Sequence, residues 1–534
     1  MAGNLSKIVG TPMSPNKRIF LNIVATYGRT LLGVVCGIFS TRWVLMALGQ
    51  EDFGLFGLIG SVVMFLSFFN TQFAGALSRF YAYSVGQARV AADAEMALEE
   101  CRKWFSAGVM IHTVVPLLLT IVGYPLGTWA IESGVIGVPE ARVEACLWLW
   151  RFVCASTFVT MVNVPFSAMY TAKQYIAELT LYSVAQTIFR TVFIYYMTLC
   201  PGDWLVRYGL MMCLVAGIPQ VIICLRASLI FPECRLRFKY LRLWTYMKQI
   251  GSYAWWQTFG GIGYLARHQF LTVIVNRFFG PRITASFSVG GTVGGEAAAL
   301  TGAMQGAFAP AITTACGEGN WSRMRAMSYQ ACKFGTLLTL MFAIPMGLEI
   351  DELLHLWLKE APLHAEGICL VMLAVIVVEK FSLGHTIGVN ASGRVAKYQV
   401  FRGLSCLTAV PFSIVAALVF RHVYAVVLAL LLTTCIACCS DVCLARHRIG
   451  LSVRYWLFHI IVPLLAVMTF SIAVGLLPRL LLPTSFLRMV VTTIFSLVSL
   501  LPFSWFFVLN ELERAFVRTR IQTGLRRLKG NGCK

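Results

Sequence analysis

Charge is scarce in this chain, and acidic charge scarcest: 13% of its 534 residues are charged, with 23 Asp and Glu against 44 Lys and Arg. With 58% hydrophobic residues and a mean hydropathy of +0.75, there is too little polar surface to cover a soluble domain of this size. That excludes the soluble classes. Long polar connections are also missing, so no soluble catalytic domain is expected and any function must sit between helices. The N-terminus lacks a short apolar segment with a small-residue cleavage site; its first apolar run is long and reads as a signal anchor. The 17 cysteines lie nearly all inside apolar runs, where Cys behaves as a small hydrophobe, so no disulfide framework follows. Cys435, Cys438, Cys439 and Cys443 include one CxxC spacing, but no second pair or nearby His completes a metal-ligand set. No cofactor is expected.

What is present is an all-α polytopic membrane pattern. The net charge of +21 is gathered in short segments between apolar runs, which indicates cytoplasmic loops facing anionic lipid rather than a nucleic-acid partner. Residues 1–16 form a polar segment expected to be cytoplasmic. Spans at about 19–48, 53–83, 105–131, 143–171, 176–200 and 204–230 make a first lobe over 17–230. A basic linker, 231–248, separates it from a second lobe over 249–450, with spans at about 249–279, 283–312, 331–358, 366–392, 398–420 and 423–445. Two more spans at about 455–477 and 484–509, within 451–510, precede a basic cytoplasmic tail, 511–534. Fourteen spans place both termini on one side. Arg89, Arg102, Lys103, Lys173, Arg323, Arg325, Lys333, Arg394, Lys397, Arg446, Arg448 and Arg454 fall in loops expected inside, whereas Glu51-Asp52, Glu132, Glu140, Asp203, Glu349, Asp351 and Glu352 fall outside.

The chain repeats. Gly49 and Gly86 reappear as Gly280 and Gly317 at an offset of 231 residues, and Cys101 and Cys332 extend it. Such an offset indicates two copies of one fold unit.

Thr41-Arg42, Leu48-Gly49, Glu51-Asp52-Phe53-Gly54 and Ser78-Arg79-Phe80 resemble the opening of bacterial polysaccharide and lipopolysaccharide biosynthesis exporters, of the multidrug, oligosaccharidyl-lipid and polysaccharide exporter superfamily. Pro139-Glu140, Val164-Pro165, Tyr170, Ala172-Lys173, Phe279-Gly280-Pro281, Leu356-Trp357-Leu358, Asn390-Ala391 and Gly393 continue the likeness over roughly 17–450. The resemblance implies two pseudo-symmetric six-helix lobes across a central cavity, and flipping of an undecaprenyl-diphosphate oligosaccharide, such as an O-antigen precursor, across the cytoplasmic membrane by alternating access. Its partners are then the lipid-linked saccharide, membrane lipids and envelope polysaccharide assembly proteins. A multidrug or organic-cation antiporter of the same superfamily is the alternative. A membrane glycosyltransferase or polymerase fits less well, because it generally needs a larger outside loop; the chain is expected not to be an enzyme.

A charge at membrane depth costs from about 3 to above 10 kcal/mol, so such residues usually face a cavity or a partner. Arg29 and Arg267-His268 lie in the first helices of the two lobes; they either hold the diphosphate, as the planar guanidinium fork suits, or pair with carboxylates. Glu296 either neutralises one of these arginines or carries a coupling ion. Glu379, beside Lys380, is the second coupling-ion candidate, against a structural ion pair. Arg42 and Arg277 either guide the headgroup or snorkel to lipid phosphates. Arg79 either closes an inner gate or snorkels. Glu51-Asp52 reads as the N-cap of the second helix, Arg190 and Asp441 as structural, and Trp255-Trp256 as packing or a sugar-stacking platform.

Overall fold

A computed structural model describes residues 15–90, 93–133, 138–199, 202–235, 243–358, 362–511, 513–515 and 518. Most of the expected N-terminal segment, part of the basic linker and nearly all of the tail lie outside them, as do the side chains of Arg42 and His268. Among the described residues all regular structure is helical.

The elements follow the apolar runs. The first long helix, α1 (Pro15–Val90), has 76 residues and would be about 114 Å long if straight. It doubles back. Asn22 donates to the Gln174 carbonyl (3.1 Å) and accepts from the Ala177 amide (3.0 Å), while Leu77 and Tyr81 share a core with Tyr170, one turn away from Gln174. Between them, Val44, Leu48, Leu55 and Ile59 pack with Trp204 and Leu205 at the other end. Thus α1 contains the first two spans. At the turn the Asp52 carboxylate takes Arg142 at 2.9 Å.

Next come α2 (Ala94–Glu132), capped by Asp93 on the Glu95 and Met96 amides, α3 (Val143–Val162), α4 (Val164–Ala172), α5 (Ile176–Leu199) and α6 (Leu205–Ile230). The second long helix, α7 (Trp244–Gly317), breaks at Gly280, whose φ of 81° is open to glycine. It is followed by α8 (Trp321–Leu348), α9 (Ile350–Leu358), α10 (Ala365–Phe381) and α11 (Leu383–Ser392), the last two bent by 43° at Ser382. The chain then forms α12 (Ala396–Leu407), α13 (Ala409–Phe420), α14 (Val423–Ile449), α15 (Val453–Trp456), α16 (Val462–Leu481) and α17 (Phe486–Phe503). By length and composition eight described helices can each cross a membrane, nine with the bent pair; α5 and the doubled α1 and α7 complete an all-α polytopic membrane architecture of about fourteen spans.

Two compact units result. The first comprises 1–259, 306–324 and 390–399; the second comprises 260–305, 325–389 and 400–534. In the first unit one core forms around Tyr81, Phe105, Tyr170 and Ile250 at the end rich in basic loops, and another around Leu149, Leu205 and Tyr208 at the acidic end. We call these the basic and acidic ends. The second unit has its core around Leu340, Leu354, Cys369, Leu464 and Val467.

The C-terminal helices α16 and α17 are fastened to the second unit at both ends. At the acidic end Arg488 donates from Nε and Nη2 to Glu349 (3.1 and 2.7 Å), Thr492 donates to the other Glu349 oxygen (2.7 Å), and Arg479 bonds the Leu348 carbonyl and Asp351. At the basic end Lys333 pairs with Glu513 (2.8 Å), and Trp456 donates to the Phe381 carbonyl (2.8 Å) freed by the bend at Ser382.

Candidate functional site

In the second unit, close packing of glycines brings the charges together. A Cβ on Gly263 of α7 would lie 2.7 Å from the backbone of Gly403 on α12, so the two helices touch main chain to main chain. One turn beyond, Arg267 is 2% exposed and donates to Glu379 of α10 at 2.8 Å and to Thr434 of α14 at 3.4 Å, with its guanidinium 4.8 Å from the Tyr264 ring. Its buried Nε has no hydrogen-bond partner among the described residues. Lys380 lies within electrostatic reach of Glu379 and of Arg402, and Arg402 also donates to Thr386 at 2.9 Å. Asp441 of α14 accepts from Ser382 at 3.2 Å. Cys406 lies within electrostatic reach of Arg267, Arg402, Glu379 and Asp441 alike, which ties the set together. Three cations thus meet two carboxylates.

The first unit differs. Arg29 is exposed and makes no hydrogen bond or ion pair among the described residues. Arg151 lies 4.5 Å from the Trp148 ring and donates to the Tyr124 hydroxyl at 3.3 Å, and Arg190 bonds the Tyr208 hydroxyl. Among the described residues none of these three, all within spans, has a carboxylate partner.

Of the candidate site residues singled out from the sequence, Arg267 and Glu379 come together among the described residues, with Lys380 and Asp441 close by. Glu296 is exposed and pairs with neither arginine; Arg277 is exposed as well. Arg79 turns inward, donating to the Ala391 carbonyl from Nε (3.3 Å) and Nη2 (3.2 Å). Trp255 is exposed, whereas Trp256 packs on Phe259. Among the dense glycines of α7, Gly263 meets Gly403 and Gly290 and Gly294 meet Ile368 and Met372, whereas an added Cβ on Gly291 or Gly295 would have nothing within 4 Å.

No protein-family model matches the sequence, and no curated protein matches it. Solved structures do. An outward-facing multidrug resistance MATE family transporter of the MOP superfamily aligns over 82% of this chain and 96% of its own at 17% identity, with a TM-score of 0.63. A MATE in the straight conformation aligns over 82% and 97% at 15% identity, with a TM-score of 0.65. This chain has the MATE fold. A MOP superfamily transporter from Pyrococcus furiosus, whose binding pocket is described as having reverse polarity and suggesting a different function, covers 82% and 96% at 14% identity, with a TM-score of 0.63.

Within this MATE fold the sequence reading passed over two cations. Arg402 stands five residues from Lys397 near a span end and looks like one more loop cation; its place beside Arg267 depends on the Gly263–Gly403 contact, which pairs residues 140 apart. Arg151 carried a legible signal, since Trp148-Leu-Trp-Arg-Phe-Val153 sets a guanidinium inside an apolar run.

Proposed function

We propose that the chain is a transporter that flips a lipid-linked saccharide, an undecaprenyl-diphosphate oligosaccharide or polysaccharide precursor, across the cytoplasmic membrane by alternating access, with its basic end in the cytoplasm. The observation that carries this reading is the charge balance within the spans. Arg29, Arg151 and Arg190 have no carboxylate partner among the described residues, and three cations face two acids around Arg267. An anionic headgroup is the ligand that such an excess suits, because a guanidinium fork binds two phosphate oxygens at once.

The pairing of Arg267 with Glu379 supplies a mechanism. A diphosphate competes with the Glu379 carboxylate for the same guanidinium, and a proton or Na⁺ taken up by Glu379 releases Arg267 to the substrate. Loading of the ion and of the lipid are then coupled. Exposed Glu296, without an ion pair among the described residues, favours the rival reading, an organic-cation antiporter.

Purified protein in liposomes, given undecaprenyl-diphosphate saccharide, tests the proposal. Arg29→Ala and Arg267→Lys each remove a bidentate contact and are expected to slow flipping by about 10- to 100-fold. Flipping unchanged by both substitutions rejects the phosphate-binding role. Export of an organic cation with no movement of the lipid establishes the rival.

A further inference from the structure

The first unit contains a cavity that the transport reading leaves unused. It lies between α2 and α3, encloses about 150 Å³, and is lined by uncharged residues, among them Pro116 and Gly123 of α2 and Trp150, Cys154, Phe158 and Met161 of α3. The sequence opens it. An added Cβ on Gly123 would meet nothing within 4 Å, whereas a Cβ on Gly127, one turn on, would lie 2.3 Å from the Trp150 ring. The two helices therefore touch at Gly127 and part toward Gly123. Polarity inside is suppressed: Thr120 donates to the Pro116 carbonyl (2.8 Å), and the Thr157 hydroxyl oxygen is buried. An apolar cavity of about 150 Å³ stays dry and accepts a benzene, so this one suits about six carbons of a hydrocarbon chain. Leu119, which also lines it, is 41% exposed, and Leu118 and Val122 beside it are exposed as well, which leaves the cavity open to the apolar surface of the span.

A cation stands at the closed end. Trp150 donates from Nε1 to the Tyr124 carbonyl (3.2 Å), and Arg151 donates from Nε to the Tyr124 hydroxyl (3.3 Å), with its guanidinium 4.5 Å from the Trp148 ring. Successive helical residues are about 100° apart, which sets Arg151 on the flank of the lining stripe, beside Cys154 and Phe158. Its two Nη groups make no hydrogen bond among the described residues, and it has no carboxylate partner among them. An exposed guanidinium within a span calls for a counter-charge. Two free Nη groups match the two unbridged oxygens of a phosphodiester. A diphosphate carries more charge than one guanidinium neutralises, so a singly charged head suits this position better. Arg151 stands about 12 Å from the start of α3, a depth that a snorkelling side chain and a drawn-in phosphate span together.

We propose that this cavity is a lipid site, in which a chain of an anionic phospholipid from the surrounding bilayer lies between α2 and α3 with its phosphodiester on the Nη groups of Arg151. The site does not depend on the transport reading; it takes one of the cations counted there and leaves Arg29, Arg190 and Arg267.

Delipidated full-length protein in detergent, titrated with phosphatidylglycerol, zwitterionic phosphatidylcholine or undecaprenyl phosphate, tests it, with bound lipid counted by native mass spectrometry. One phosphatidylglycerol is expected to bind about tenfold more tightly than phosphatidylcholine, and Arg151→Gln removes that preference. Gly123→Leu fills the cavity and weakens both phospholipids by about tenfold. Arg207→Gln, which removes an exposed guanidinium 5.4 Å from the Trp204 ring and outside the cavity lining, changes neither. Phosphatidylglycerol binding left unchanged by Arg151→Gln or by Gly123→Leu overturns the site. Where Gly123→Leu does not fold, phosphatidylglycerol with brominated chains decides: bromine density between α2 and α3 in electron microscopy of the unsubstituted protein supports the site, and its absence at saturating lipid overturns it. Undecaprenyl phosphate binding more tightly than phosphatidylglycerol, and lost in the same variants, overturns the bilayer lipid as occupant. Protein that binds phosphatidylglycerol as expected and flips no lipid-linked saccharide keeps this site and loses the transport reading alone.

Discussion

Arg29 and Arg267 occupy the first helices of the two sequence copies and live in opposite circumstances. Arg267 is buried and neutralised by Glu379, whereas Arg29 is exposed without a carboxylate. Gly86 and Gly317 show the reverse, since an added Cβ on either would lie 2.1 Å from the carbonyl oxygen three residues before the other. Duplication has preserved the backbone approach and let the side-chain chemistry diverge. The reason is geometric: a close crossing constrains both partners at once, while a charge needs a local partner that each copy supplies or omits separately.

This contrast is sharpest in stability. Glu379→Leu strands a buried guanidinium and is expected to cost about 3–5 kcal/mol in thermal or denaturant unfolding, whereas Arg267→Leu with Glu379→Leu recovers most of it. A double variant no more stable than Glu379→Leu would show that the pair is not what holds Arg267. Arg29→Ala comes next: transport falls while stability changes by less than about 0.5 kcal/mol, so the two arginines separate when both are measured. Equal destabilisation by Arg29→Ala and Glu379→Leu would erase the distinction. The smallest effect belongs to the acidic end, where Arg142 bridges Asp52 and Asp203 at 2.9 and 2.6 Å. Asp203 is 57% exposed, so Asp203→Asn should lower stability by less than about 1 kcal/mol, and high salt should shrink that difference further.

Spans and repeat were legible in the sequence because they are set by local composition and by spacing. The apolar runs at about 53–83 and 283–312 are the returning halves of α1 and α7, and Gly280, singled out by its offset from Gly49, is where α7 breaks. Membrane-depth charge likewise pointed to Arg267, since its cost does not depend on what it touches. Its partners were not legible. Glu379 is 112 residues away, Thr434 is 167, and the approach of Arg402 depends on a glycine contact between distant helices. Arg79 shows the same limit, because nothing around residue 79 announces a carbonyl 312 residues further on. Asp52 shows it again, since nothing local announces its ion pair with Arg142, 90 residues further on.

The fastening of α16 and α17 by Glu349 at one end and Lys333–Glu513 at the other has a practical consequence. A chain shortened after α14 would leave Glu349 and Lys333 without these partners, so the two C-terminal helices cannot be trimmed away as a loose appendage.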